Sequence, residues 1–168
     1  MIKNFFKILI LLFILTKTIY PQDKIKNQII ELSEKFLNYL KSNNINQVKI
    51  LIFNQVKFSK LSEKEIISLG EDVLAEKIPV SEYIIKITGN NLFNLFSGEI
   101  SIVEYEINSK EMGTEKVINK DKFLKEDFYY IKGRAKFKQK DKTINDKEFE
   151  IDILRDEKNE LKIFGFIF

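Results

Sequence analysis

The hydrophobic period of this chain changes once, at Pro79, and that change sets the fold class. From Asp23 to about Asn43, Ile25, Ile29, Leu32, Phe36 and Leu40 recur at three- and four-residue spacing with Lys and Glu between them. This is the apolar face of a helix of about five turns, and Asn43-Asn44 supplies a stop. Ile45 to Phe53 is apolar on several sides and reads either as a short second helix or as a buried strand. A clearer helix follows. Ser62 stands as N-cap with Glu65 three residues on, a capping box, and Leu61 and Ile66 occupy the staple positions around it. Ile66, Leu69 and Val73 continue one face until Pro79 ends the helix.

Beyond Pro79 the pattern becomes β. Tyr83–Thr88, Asn91–Phe96, Glu99–Ile107, Phe128–Lys140, Glu148–Arg155 and Leu161–Phe168 are runs rich in β-branched and aromatic residues. Gly89-Asn90 and Ser97-Gly98 are turn-type dipeptides between the first three. Asn108 to Asp127 is mostly charged and lacks sustained periodicity, which reads as a long loop with one turn of helix near Phe123. The expectation is an α+β domain over residues 23–168, with two or three N-terminal helices packed on a curved antiparallel sheet of about six strands. No repeat, low-complexity tract or linker divides it.

Lys132, Arg134, Lys136, Lys138 and Lys140 alternate along one run, and Glu148, Glu150 and Asp152 along the next. A turn centred on Thr143 would set Lys138 against Glu148, Lys136 against Glu150 and Arg134 against Asp152. Such pairs fix register at a few tenths to about 1 kcal/mol each. They also cancel most of the attraction that a basic stripe would hold for an anion. Phe149, Ile151 and Ile153 then face the core.

In the last run, strict alternation places Ile163 and Ile167 on one face and Phe164, Phe166 and Phe168 on the other. A strand apolar on both sides is covered on both. The isoleucines are expected to face the core, while the phenylalanines line a cavity, meet a second copy, or lie under the long loop. Phe164, Phe166 and Phe168, with Tyr105 and Tyr130, are the candidate ligand or interface residues.

The first twenty-two residues read as an export signal: a basic start to Lys7, an apolar run from Ile8 to Leu15, and a polar exit through Pro21-Gln22. A membrane-spanning helix needs roughly 20 apolar residues, whereas Lys7 and Lys17 bracket nine. The mature protein is therefore expected to be periplasmic or extracellular, from a bacterial cell, and without a membrane span.

Lys3, Lys7 and Lys17 fall in the leader, which has no acid, so the remainder carries 25 basic against 25 acidic residues. That balance gives no support for nucleic-acid binding, which needs a clustered positive field. With no His and no Cys, Ser-His-Asp and Cys-His chemistry, common zinc sites and disulfides are all unavailable. The six glycines are scattered, so no phosphate-cradling loop forms. No catalytic residue, metal or cofactor is assigned.

The stretch Phe36-Leu-Asn-Tyr-Leu-Lys-Ser-Asn-Asn-Ile-Asn-Gln-Val48 and the closing Ile153-Leu-Arg-Asp-Glu-Lys-Asn-Glu-Leu-Lys-Ile-Phe-Gly-Phe166 resemble the first helix and final hairpin of the nuclear-transport-factor-2-like (cystatin-like) superfamily. The resemblance implies helices followed by a curved meander. It also implies either a cavity Asp, often with His, or a non-catalytic binding role; no Asp here matches a catalytic motif. The reading is an exported, non-catalytic envelope protein that binds a small apolar ligand or a protein partner. The alternatives are a cofactor-free enzyme using a cavity carboxylate and one of Tyr83, Tyr105, Tyr129 or Tyr130, and a self-associating structural protein, with a homodimer contact through the last strand.

Overall fold

The computed structural model describes residues 23–115 and 127–168; the expected leader and the helical turn near Phe123 lie outside them. A helix through residues 23–41 (α1) is followed by α2 (Ile45–Leu51), α3 (Glu63–Leu74) and α4 (Val80–Phe96). The strands then follow as β1 (Ile100–Glu115), β2 (Phe128–Gln139), β3 (Ile144–Arg155) and β4 (Leu161–Ile167). They form an open antiparallel sheet in the order β1-β2-β3-β4. The class is α+β, but the described residues hold four strands rather than about six, and four helices rather than two or three.

Local chemistry explains where the helices begin and end. Asn43 closes α1 in the left-handed region (φ 54°), and the Asn44 side chain starts α2 by accepting from the Gln47 N–H at 3.3 Å. At α3 the capping box is complete: the Ser62 N–H donates to Glu65 Oε2 at 2.7 Å, and the Glu65 N–H donates to Ser62 Oγ. The helix stops at Leu74, before Pro79, because Glu76 (φ 55°) turns the chain left-handed and returns its N–H to the Val73 carbonyl. Pro79 instead caps the start of α4.

Residues 83–96 are helical, which overturns two expected strands and the turn at Gly89-Asn90 between them. Burial on several sides of α4 masks its helical period: Ile84, Ile85, Ile87, Leu92 and Leu95 are all buried. Tertiary contacts override their β preference. Gly89 serves close approach. A Cβ there would lie 2.0 Å from the Lys57 carbonyl oxygen, so only glycine lets residues 57–59 cross the helix. Asn90 then accepts the Leu61 N–H at 2.9 Å.

The expected loop at 108–127 is also corrected at its start, since β1 continues to Glu115. A bulge between Asn108 and Met112 breaks the alternation, after which Gly113 pairs with Tyr130 and Glu115 with Phe128. Asn108 fastens the bulge by accepting from the Lys110 N–H and donating to Glu111 Oε1 at 2.7 Å.

The β2–β3 turn centres on Asp141, not Thr143. Asp141 Oδ1 accepts the Thr143 N–H at 2.9 Å, and Lys142 adopts φ 71°. Register therefore differs from expectation: Arg134 faces Glu148, Lys132 faces Glu150 and Lys136 faces Asp146. Because the displacement is an even number of residues, the faces themselves are as expected. Phe149, Ile151 and Ile153 are buried, and the charged residues lie opposite. Lys132 bonds Glu150 at 3.1 Å, Lys136 bonds Glu104 of β1 at 2.8 Å, and Lys140 bonds Glu99 at 3.0 Å. Acids from both flanking strands thus neutralise the basic stripe.

The last strand departs from strict alternation. A register shift between Asp152 and Ile153 lets Ile163 pair with Ile153 and Phe166 with Ile151, both on the core face, while Ile167 pairs with Glu150 on the charged face. The core lies between this sheet face and the helices. Phe36 of α1 meets Phe166 edge-on at 5.3 Å. The free edge of β4, otherwise open to strand addition, is closed by its neighbours. The Phe53 N–H donates to the Ile163 carbonyl at 2.8 Å, the Phe166 N–H to Thr88 Oγ1 at 2.8 Å, and Asn91 Nδ2 to the Phe166 carbonyl at 2.9 Å.

Candidate ligand cleft

The residues between α2 and α3 lack either hydrophobic period, and they build one wall of a half-open cleft of about 1400 Å³. This segment is pinned at both ends, by Phe53 to β4 and by Ser59 to the Gly89 carbonyl of α4. Pinning lets it hold Phe53 and Phe58 partly exposed without regular structure. The opposite wall is the end of β3 with the turn 156–160, and the end of α4 adds Phe93 and Phe96. Phe58 and Phe96 stack with centroids 5.7 Å apart and planes 5° apart, and Lys49 Nζ lies 5.9 Å from the Phe58 centroid. That distance is within reach of a cation–π contact.

The β3–β4 turn is rigid. Asp156 Oδ1 accepts the N–H groups of Lys158 and Glu160, each at 2.9 Å, and Asn159 takes φ 62°. Lys162 ties this wall to α2 by donating to the Ile50 carbonyl at 3.0 Å while pairing with Glu160 at 2.9 Å. Lysines 49, 57 and 158 and the acids Asp156 and Glu157 line the same cleft, so it offers aromatic surface with charges of both signs.

A second feature lies on the charged face of the sheet. Gly113, Tyr130, Asp152 and Gly165 form one cross-strand row over β1, β2, β3 and β4. Asp152 is fully buried, no N–H or hydroxyl among the described residues donates to either carboxyl oxygen, and the Glu150 carboxyl is the side chain beside it. A Cβ at Gly165 would sit 2.0 Å from its Oδ2, so the carboxyl occupies the space that glycine vacates. Burial, then the charge of Glu150 and a side-chain hydrogen bond with it, push the Asp152 carboxyl up to about 8; Glu115 adds to the shift and Lys132 opposes it.

None of the five residues proposed from sequence lines the cleft. Phe164 is buried edge-on against Phe128 at 5.1 Å. Phe166 is buried against Phe36 and Phe149, and Phe168 stacks on Phe137 at 4.2 Å. Tyr105 is partly buried, and burial followed by the Glu34 charge raises its phenol. Tyr130 covers Gly113, where an added Cβ would meet its hydroxyl at 2.8 Å. Asp152 and Tyr130 are cross-strand partners, the carboxylate–tyrosine combination an enzyme would need, yet neither borders the cleft. Among the described residues no cluster of acidic side chains is placed to hold a metal, and no helix is long and apolar enough to cross a membrane.

Sequence reasoning missed Phe53, Phe58, Phe96 and Lys49 because it sought function on regular elements. The available signal was the Phe53–Phe58 pair in an aperiodic stretch between two helices. No protein-family model, curated protein or solved structure matches this chain. The likeness to the nuclear-transport-factor-2-like superfamily accordingly rests on the two sequence stretches alone.

Proposed function

We propose that this chain is an exported, non-catalytic binding domain whose cleft receives a segment of a partner polypeptide in the cell envelope. The observation that carries the reading is the stacked Phe58–Phe96 pair in a half-open cleft of about 1400 Å³. Small-molecule pockets typically hold about 300–1,000 Å³ and enclose most of the ligand. This cleft is larger, open, and lined by both charge signs, which suits a chain of mixed side chains better than a compact apolar molecule. Aromatic side chains of the segment would stack on the phenylalanines, where such contacts contribute roughly 0.5–1.5 kcal/mol beyond buried area. The basic-apolar-polar leader over residues 1–22 supports export, and the lack of an assigned catalytic motif supports binding without chemistry.

The test is selection of a random displayed-peptide library on the purified protein. Enriched peptides are expected to carry aromatic residues and to lose at least tenfold in affinity on Phe58→Ala, about 1.4 kcal/mol. Lys49→Glu should change their salt dependence. Selected peptides that bind both variants like the parent would overturn the cleft assignment. Uptake of an apolar fluorescent dye in the cleft, with no peptide enriched, would favour a small apolar ligand instead.

A further inference from the structure

The Asp152 row has a role that cleft binding does not use. The Asp152 carboxyl is enclosed at 0 % exposure with no donor on either oxygen, and the side chain it can bond is another carboxyl, Glu150. As the neutral acid it can share its proton with Glu150, whereas the charged form has no donor and costs far more. Native proteins leave few groups in this condition, and each calls for a reason. The groups that face it from the described strands are Glu150 on its own strand, Tyr130 and Lys132 on β2, Glu115 on β1 and the bare backbone of Gly165 on β4. The one lysine among them is already paired with Glu150. Nothing in this set compensates a carboxylate at position 152.

The same place carries the one irregularity in the β3–β4 ladder among the described residues. The β3–β4 register shifts immediately after Asp152, and Gly165 opposite it contributes no side chain, its place being taken by the carboxyl itself. An opening here would bring water to the carboxyl without lifting Phe36 or Phe149 from the core. Charge therefore has a local route to hydration that does not require the whole domain to unfold.

We infer that Asp152 is a proton-controlled latch on the β3–β4 pair: as the neutral acid it stays dry between Tyr130 and Gly165, and on losing its proton it opens the pair at the bulge. The latch places a conformational switch at the strand junction that leads directly into the cleft wall at Leu154. It stands independently of what the cleft binds. In the closed form the acid is expected to persist through neutral pH, and in the open form the amides around the bulge become solvent-accessible.

Native-state hydrogen exchange on the full protein tests this, with rates corrected for the intrinsic base dependence. Between pH 6 and pH 9.5, amides of residues 151–154 and of Phe164 and Gly165 should lose at least tenfold in protection, while those of α1 keep theirs. Asp152→Asn should abolish the loss, and Glu150→Gln, which leaves the buried acid in place but removes the charge that raises it, should keep the loss and move it to lower pH. Should Asp152→Asn fail to fold, carboxyl carbon-13 titration of the parent gives the answer, because the Asp152 signal and the bulge amides must change over the same pH interval. An Asp152 that titrates below pH 5, protection that is flat in the parent, or an equal loss in Asp152→Asn would overturn the latch.

Discussion

Two glycine-to-alanine substitutions, both inside helices, should move stability in opposite directions. Alanine is favoured over glycine in a helix interior by about 0.8–1.0 kcal/mol, and it also narrows the unfolded ensemble. At Gly70 in α3 nothing lies within 4 Å of an added Cβ, so Gly70→Ala should stabilise by up to about 1 kcal/mol. At Gly89 in α4 the added Cβ would sit 2.0 Å from the Lys57 carbonyl oxygen and 3.1 Å from its carbon. The obstacle is backbone, so no rotamer change relieves it; the crossing segment must lift, which strains the Ser59 N–H bond to the Gly89 carbonyl and the Leu61 N–H bond to Asn90. Overpacking typically costs about 1–3 kcal/mol, and losing one hydrogen bond adds about 1 kcal/mol. Against a propensity gain of about 1 kcal/mol, Gly89→Ala should destabilise by about 1–3 kcal/mol. Urea unfolding followed by circular dichroism gives both values. If Gly89→Ala were neutral or stabilising, residues 57–59 would not cross α4, and the cleft wall they form would be misplaced.

Phe166→Ala should cost about 3–5 kcal/mol in the same assay, as for a fully packed ring, since Phe166 is buried between Phe36 and Phe149. A loss below 1 kcal/mol would return this ring to the role of a ligand or interface residue. Exchanging the charges of Lys136 and Glu104, bonded at 2.8 Å, should restore part of the stability lost by either single reversal; a strictly additive double variant would mean they do not pair. For Asp152 the sign follows from proton linkage. Its folded value, up to about 8, exceeds the ordinary unfolded value of about 3.9. Between those limits the folded state binds the extra proton, so stability falls as pH rises. At about 1.36 kcal/mol per unit the loss from pH 4 to pH 7 is up to about 4 kcal/mol, and Asp152→Asn should remove that slope.

The sequence was legible where a local rule and the tertiary environment agreed. The face of α1, the box at Ser62 and Glu65, the polar turn after Arg155, and the inward set Phe149, Ile151 and Ile153 all follow from spacing. Reading failed where one environment acted on several sides. Ile84, Ile85 and Ile87 look like a strand because α4 is buried on more than one face, and Gly89 looks like a turn because its reason lies in the chain crossing at Lys57. In β4 a single bulge put Phe166 on the same face as Ile163, which no alternation rule anticipates. Asp152 was placed in an exposed ladder on its parity alone. Leu154 shares that parity and is buried as well, which marks that end of the charged face as covered. The cleft was illegible because its walls come from an aperiodic segment, a helix end and a hairpin turn brought together only by the fold.

The measurement that tests the central claim most directly is a backbone amide chemical-shift map of the isotope-labelled protein titrated with a peptide selected for binding. The account predicts saturable shifts at Lys49, Phe53, Phe58, Phe96, Leu154 and Lys158, with the amides of Lys132, Arg134 and Lys136 unmoved. Shifts confined to the charged face or the edge of β1, with the cleft residues silent, would contradict it.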